Sequence, residues 1–136
     1  MSHSALLECE LRRTIPATLQ AVEELLKDVR KSAASRLDRA ECFTAELLLR
    51  EALTNAVVHG CHAESGKQVR CSMRLRDRRL LIVVDDDGDG FDWRAARCIS
   101  AAFSDCSGRG MEILSKYANR VRYNDRGNVA TILKRF

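Results

Sequence analysis

Three polar side chains recur at four-residue spacing near the middle of the chain. They are Glu51, Asn55 and His59, in an otherwise mostly apolar segment that runs to Gly60. Residues four apart share one face of an α-helix, so the three side chains form one polar stripe. A carboxylate one turn before an amide suits a site for a nucleotide and a metal ion. The Asn55 carbonyl oxygen can bind Mg²⁺, and the Glu51 carboxylate can orient or deprotonate an attacking hydroxyl or water.

The same predicted helix carries a second polar stripe, formed by Glu46, Arg50 and Thr54. It lies roughly 140° around the helix axis from the first stripe, at about 100° per residue. Glu46 and Arg50 form an ion pair in the favoured order, which indicates a solvent-facing stripe. The first stripe is therefore predicted to line a site. On this helix alone, the alternative that the first stripe is only solvated or locally satisfied remains open.

A second stretch with possible chemistry is the pattern Asp86-x-Gly88-x-Gly90, which follows an apolar run from Leu80 to Val84. An aspartate at the end of a strand can accept a hydrogen bond from an exocyclic amine such as that of adenine. A glycine lets the backbone turn sharply or approach a flat ring without a Cβ atom in the way. The pattern is therefore consistent with a nucleobase pocket.

Two other interpretations of this acidic segment are a calcium loop and a plain acidic turn. Asp85, Asp87, Asp89 and Gly90 match the first positions of an EF-hand loop, but Ala96 stands where the loop requires glutamate. The segment before the loop also reads as a strand, whereas an EF-hand requires a helix. The calcium interpretation is therefore disfavoured, and the acidic turn remains an alternative.

A third stretch, Gly108-Arg109-Gly110, precedes a predicted helix that begins at Met111. Free backbone N–H groups and the helix dipole make a helix start of this kind suitable for binding phosphate. A single Gly-x-Gly pattern is also typical of an ordinary loop, and Arg109 can contact either phosphate or solvent.

Taken together, the three stretches resemble the nucleotide-binding boxes of the GHKL ATPase superfamily, which has the Bergerat fold. The resemblance covers roughly residues 38–136, and within the superfamily the chain most resembles the small anti-sigma-factor serine/threonine kinases. The segment Glu51–Gly60 is similar to their N-box. The segments Asp86–Asp92 and Gly108–Leu114 resemble their first and second glycine boxes.

This resemblance implies a role for each matching residue. Asn55 would bind Mg²⁺, Glu51 would be the general base for a serine hydroxyl, and Asp86 would bind the adenine amino group. His59 occupies a usual family position, for which we expect only local packing. The other implied ATP contacts are Gly88 and Gly90 at adenine, Gly108, Arg109, Gly110 and Met111 at the phosphates, and residues 93–107 as the ATP lid.

The last hairpin departs from the family pattern. The family often has Gly-Thr there, whereas this chain has Gly127-Asn128. Thr131 is therefore a candidate nucleotide contact, and Asn128 is the alternative.

The implied function is an ATP-dependent protein-serine kinase that acts by partner switching. It would phosphorylate a small STAS-type anti-sigma-factor antagonist, and it could instead hold a sigma factor; the family also often forms homodimers. The alternative is a non-catalytic ATP-binding module that regulates a protein partner. Direct nucleic-acid binding is disfavoured, because aromatic residues are only 5% of the chain and do not interleave with the arginines at positions 70–79.

Composition sets the remaining limits. The chain has 136 residues, of which 46% are hydrophobic and 31% charged, so we expect one histidine-kinase-like ATPase domain over residues 1–136. No apolar run is long enough for a membrane span, so the expected location is cytoplasmic without a membrane partner. The six cysteines lack zinc-binding spacings and are expected to be free thiols. A weak metal-site alternative is the cluster of His59, Cys61 and His62.

Hydrophobic periodicity predicts the elements that position these residues. Asp38 is a candidate N-cap of the central helix and Gly60 a candidate C-cap. Because most neighbouring strands are hairpins, we expect an α/β (α+β) two-layer sandwich with a mixed, largely antiparallel sheet and helices on one face. The predicted strands are Leu7–Ile15, Gln68–Leu75, Leu80–Val84, Arg120–Tyr123 and Val129–Leu133, and the predicted helices are residues 19–34, 40–59 and 111–118.

Overall fold

The computed structural model describes residues 9–64, 66–90 and 106–136, with only the backbone described for 106–111. The elements follow the predicted order. The strands are β1 (Cys9–Pro16), β2 (Gln68–Arg76), β3 (Arg79–Asp86), β4 (Arg120–Tyr123) and β5 (Val129–Arg135). The helices are α1 (Leu19–Ala33), α2 (Arg39–Asn55) and α3 (Cys106–Tyr117), and one π-helical turn (Ala56–Gly60) continues α2.

The strands form one sheet in the order β1-β2-β3-β5-β4. Every pairing between the described strands is antiparallel, whereas the sequence also allowed a mixed sheet. A two-residue turn at Asp77 and Arg78 joins β2 to β3, and both residues have positive φ, of 51° and 69°. Two-residue turns with positive φ at both positions match the twist of antiparallel strands, so this turn fixes the hairpin register.

The sheet has one buried face and one exposed face. On β3, the side chains of Leu80, Ile82, Val84 and Asp86 are buried, and those between them are more exposed. The buried face and the apolar sides of the helices form a single core. The predicted two-layer α+β architecture is confirmed, and it places the end of β3 beneath α2.

Helix α2 begins as predicted and is tied to α1 by charged side chains. The Asp38 side chain accepts a hydrogen bond from the Glu41 N–H, and the Glu41 side chain accepts one from the Asp38 N–H. Glu46 pairs with Arg50 on its own helix, at 3.4 Å, and with Arg30 on α1, at 2.6 Å. The second polar stripe therefore includes the predicted ion pair.

Two helix boundaries differ from the predictions. Gly60 has no positive φ and is not a left-handed C-cap, since His62 and Ala63 adopt the positive φ values instead. Helix α3 begins at Cys106, so the Gly108–Gly110 segment lies within the helix. A glycine inside a helix costs only about 1 kcal/mol relative to alanine. Burial of Leu114 farther along α3 provides packing that offsets this cost.

The structure also bears on the metal and membrane predictions. Within the described ranges, no three or more His, Cys, Asp or Glu side chains are arranged to hold a metal ion, so His59, Cys61 and His62 form no such group. Cys9, Cys42, Cys61 and Cys71 are free thiols. No helix in the described part of the chain has both the length and the apolar character needed to cross a membrane.

Two neighbouring leucines on β3 provide a matched test of which sheet face carries the core. Leu80 is 1% exposed and Leu81 is 38% exposed. We predict that Leu80→Ala lowers the free energy of unfolding by about 2–5 kcal/mol, because it leaves a cavity in the core. Leu81→Ala should lower it by about 1 kcal/mol or less. Urea denaturation measures both values, and equal losses would contradict the assignment of the faces.

Candidate functional site

The centre of the site is a buried carboxyl group, that of Asp86. Asp86 ends β3 on the core side of the sheet and is only 4% exposed. Its Oδ1 accepts a hydrogen bond of 2.8 Å from the Gly88 N–H. Burial raises the pKa of Asp86, and the bond from Gly88 partly opposes this shift. The carboxyl group is thus held in place by backbone, with its two neighbouring aspartates raising the pKa further.

Three glycines let backbone segments pack against this carboxyl group and each other. A Cβ atom on Gly60 would lie 2.5 Å from Asp86 Oδ2, and one on Gly88 would lie 1.8 Å from the Gly60 carbonyl oxygen. Gly90 has a φ of +87°, and its Cβ would lie 1.7 Å from the Arg126 carbonyl oxygen. Gly88 and Gly90 therefore occupy positions that only glycine fits. Sequence reasoning missed this use of Gly60, because the contact joins residues 26 positions apart.

Asn55 is also buried, at 3% exposure, in the last turn of α2. Its amide nitrogen has no hydrogen-bond acceptor among the described residues. Tyr123 on β4 lies beside it: burial raises the pKa of Tyr123 to about 12, and its interaction with Asn55 opposes that rise. Asn55 is therefore enclosed by the fold, with the Tyr123 side chain as its polar neighbour.

Glu51 lies one turn before Asn55 and is less buried. Burial raises its pKa, and the neighbouring Arg50 lowers it. His59, in the π-helical turn, is partly buried and has an interaction partner. The first polar stripe is thus neither fully solvated nor fully buried, and its middle member, Asn55, is the one enclosed by the fold.

The β4–β5 hairpin forms another wall of the site. The Asn124 Oδ1 accepts hydrogen bonds from the Asn128 and Val129 N–H groups, at 2.9 and 3.1 Å. Asn128 in turn binds the backbone of Asp86: its carbonyl accepts from the Asp86 N–H at 3.0 Å, and its Nδ2 donates to the Asp86 carbonyl at 3.5 Å. The hairpin is therefore fixed against the end of β3.

Thr131 does not join this group. It pairs with Val83 across β5 and β3, and Val83 alternates with the core-facing Val84. Thr131 therefore lies on the sheet face opposite to Asp86, because side chains alternate between faces along a strand. Asn128 is the residue of this hairpin that the structure brings to Asp86.

A small cavity shows which elements meet at the site. It has about 180 Å³ of empty space, part of it open to solvent. Helix α2, the π-helical turn, the end of β3 and the β4–β5 hairpin all line it. Its lining residues are Ala52, Ala56, Val84, Asp86, Tyr123, Gly127, Asn128 and Ala130.

The predicted phosphate-binding segment is described only in part. Gly108, Arg109, Gly110 and Met111 lie in the first turns of α3, and their side chains are outside the description. Phe91, Asp92 and all but the last two residues of the predicted lid, 93–107, also lie outside the described residues. The phosphate contacts therefore remain predictions.

The chain matches a known domain family over most of its length. The model of the histidine kinase-like ATPase domain matches residues 15–134. The chain belongs to this family. Membership implies ATP binding, and it confirms the predicted superfamily and fold for this histidine kinase-like ATPase domain.

The domain is also similar to the anti-sigma F factor of Shouchella clausii (strain KSM-K16). The two are 28% identical over 86 residues, which cover 60% of this chain and 59% of that protein. The chain thus spans about three fifths of the length of the curated relative it matches.

The raised pKa of Asp86 predicts a pH-dependent cost of folding. When folding raises the pKa of a carboxyl group, the free energy of unfolding falls as the pH rises from the ordinary pKa, which is 3.8 for Asp86, to the pKa in the folded protein. Asp86→Asn keeps the hydrogen-bond acceptor but cannot ionise. The unfolding free energy of Asp86→Asn minus that of the wild type should therefore increase as pH rises through this window and then level off.

Asp87→Asn is the matched control, with the opposite sign. Its hydrogen bond from Arg70 lowers the pKa of Asp87, so the wild-type group stabilises the fold above its ordinary pKa of 3.8. The unfolding free energy of Asp87→Asn minus that of the wild type should therefore decrease as the pH rises from the folded-state pKa of Asp87 to its ordinary pKa of 3.8. Urea unfolding across a pH series measures both differences, and two curves of the same sign would contradict the assignment.

Proposed function

We propose that this chain is an ATP- and Mg²⁺-dependent protein-serine kinase that acts as a partner-switching anti-sigma factor. The observation that carries the proposal is that α2 presents Glu51 and Asn55 one turn apart, beside the wall that holds Asp86. The family match over residues 15–134 supports ATP as the ligand, and the similarity to an anti-sigma F factor supports the anti-sigma role.

The adenine base is proposed to bind at Asp86. Its carboxylate accepts a hydrogen bond from the exocyclic amine, and Gly88 N–H holds the carboxylate in place. Gly88 and Gly90 let this segment pack against the backbone of Gly60 and Arg126, which holds it in place beside the Asp86 carboxyl group. Asn128 supports the same segment through the Asp86 backbone, so Asn128, and not Thr131, is the proposed hairpin residue of the site.

The residues present also fit a magnesium ion held with the nucleotide. Asn55 is a buried amide one turn after Glu51, and amide oxygens are ligands that Mg²⁺ accepts alongside phosphate and water. Bound Mg²⁺ would neutralise negative charge on the phosphates. We propose that Asn55 is its protein ligand, and that Gly108, Arg109, Gly110 and Met111 hold the phosphates.

Glu51 is the proposed general base. As the serine oxygen forms its bond to the γ-phosphorus, the hydroxyl proton passes to the Glu51 carboxylate and the bond to ADP breaks. Burial raises the pKa of Glu51, which makes it a better proton acceptor than an exposed glutamate. The positive charge of the neighbouring Arg50 lowers the pKa of Glu51 and so opposes this increase.

The proposed substrate is a serine on a small STAS-type anti-sigma-factor antagonist, with a sigma factor as the alternative partner. A homodimer is part of the same proposal. The relative's name supports an anti-sigma role, and the proposal places the protein in the cytoplasm without direct contact to nucleic acid or membrane.

The proposed function predicts nucleotide binding that depends on both Asp86 and Asn55. Calorimetry should detect ATP binding in the micromolar range with Mg²⁺, because Asp86 and Asn55 supply contacts to the base and the ion. Asp86→Asn should weaken binding by about tenfold or more, since it loses a charged hydrogen-bond acceptor. Asn55→Ala should abolish the dependence on Mg²⁺. Asp85→Asn, on the opposite sheet face, is the control, and loss of binding in that variant too would contradict a site at Asp86.

Substitution of Glu51 separates catalysis from nucleotide binding. Glu51→Gln should keep ATP affinity but slow phosphoryl transfer to the antagonist by about 10²–10⁴-fold, the range for loss of a general base. Phosphoserine on the antagonist is the readout. Glu46→Gln, on the stripe that faces α1, should transfer phosphate at the wild-type rate. Undiminished transfer by Glu51→Gln would exclude Glu51 as the base, and a wild type that binds the antagonist without phosphorylating it would favour the non-catalytic module.

A further inference from the structure

Gly60 has a contact that neither a helix cap nor a flexible turn explains. The three heavy atoms nearest to a Cβ built on Gly60 all belong to the Asp86 carboxyl group: Oδ2 at 2.5 Å, Oδ1 at 2.7 Å and Cγ at 2.8 Å. Real Cβ atoms essentially never approach other atoms within 3.0 Å. A methyl group on residue 60 and the carboxyl group in its present place therefore exclude each other.

The backbone of Gly60 does not itself require glycine. Its φ is not positive, and it lies in a π-helical turn whose other residues carry side chains. Alanine is compatible with such a conformation, because left-handed φ values are the ones that favour glycine. What position 60 requires is therefore the absence of a side chain.

The peptide at residue 86 cannot move away to make room. Asn128 holds it on one side through the 3.0 Å bond from the Asp86 N–H, and β2 pairs with it on the other. The loop beyond it is also fixed, because Gly88 packs against the Gly60 carbonyl. A side chain at position 60 would therefore displace the Asp86 side chain while leaving the strand in place.

We propose that Gly60 is a positioning residue for the Asp86 carboxyl group and thereby sets the preference of the site for adenine. The inference rests on the proposed function in taking ATP as the ligand. A carboxylate discriminates adenine by accepting from its exocyclic amine, and this requires the acceptor to lie where the amine arrives. Gly60 acts through Asp86 and is not itself a contact of the base.

The experiment compares ATP with ITP, in which the exocyclic amine is replaced by an oxygen. Calorimetry with Mg²⁺ on the wild type should show a preference for ATP of about 10- to 100-fold, the value of one hydrogen bond to a charged group. Gly60→Ala should lose most of this preference, with ATP affinity falling towards that of ITP and ITP affinity almost unchanged. Gly66→Ala is the matched control, because a Cβ there meets nothing within 4 Å.

A second measurement tests the contact without any nucleotide. Urea unfolding of the wild type, Gly60→Ala, Asp86→Ala and the double variant forms a thermodynamic cycle. Gly60→Ala should cost less stability when Asp86 is already alanine, since the atoms it meets are gone. An equal cost in both backgrounds would overturn the role of Gly60 as a positioning residue.

The binding results have equally clear meanings. A wild-type ATP preference in Gly60→Ala would overturn the inference while leaving the proposed function intact. Parallel losses of ATP and ITP affinity would also overturn it, because a merely structural role weakens both. A wild type that binds neither nucleotide would overturn the proposed function and the adenine role with it, and the unfolding cycle would still decide whether Gly60 acts on Asp86.

Discussion

The arrangement of this domain depends on burying one carboxyl group at the end of a central strand. Within the described residues, Asp86 forms no salt bridge, and its side chain is held by a backbone N–H from Gly88. Burying a carboxylate without a countercharge is unfavourable, which is why the pKa of Asp86 is raised. The hairpin at Asn128 and the turn ending at Gly60 enclose this group, so two distant parts of the chain are fixed by the position of one strand end.

The strand register gives three consecutive aspartates different surroundings. Asp85 lies on the outer face and pairs with Arg70 at 3.0 Å, and Asp87 pairs with the same arginine at 2.9 Å while accepting a bond from the Gln68 N–H. Asp86, between them, faces the core. The two outer aspartates are thus neutralised by an exposed cation. Only the middle one is buried without an ion pair, and this difference follows from the two-residue period of β3.

The parts of the structure that depend on local periodicity could be predicted from the sequence. The alternation on β2 and β3, the N-cap at Asp38 and the polar stripe through Asn55 all follow from spacing within one element. The role of Gly60 could not be predicted in this way. A side chain at position 60 is excluded by the Asp86 carboxyl group, which is distant in sequence. The choice between Thr131 and Asn128 likewise required the register of β5 against β3. The predicted start of α3 at Met111 was wrong, because a glycine weakens a helix without ending it.

The two polar stripes of α2 give one helix a side that pairs with α1 and a side that belongs to the proposed nucleotide site. Glu46 and Arg50 tie α2 to α1 through ion pairs. Asn55 faces inward, and its amide nitrogen makes no direct hydrogen bond to a described residue by distance and angle. Burying a carboxyl group without an ion pair lowers the stability of the fold. A ligand that donates a hydrogen bond to Asp86 would offset part of this cost and stabilise the folded state in proportion to its occupancy. In the proposed function that ligand is ATP, whose adenine amine would face Asp86 and whose magnesium-bound phosphates would lie near Asn55.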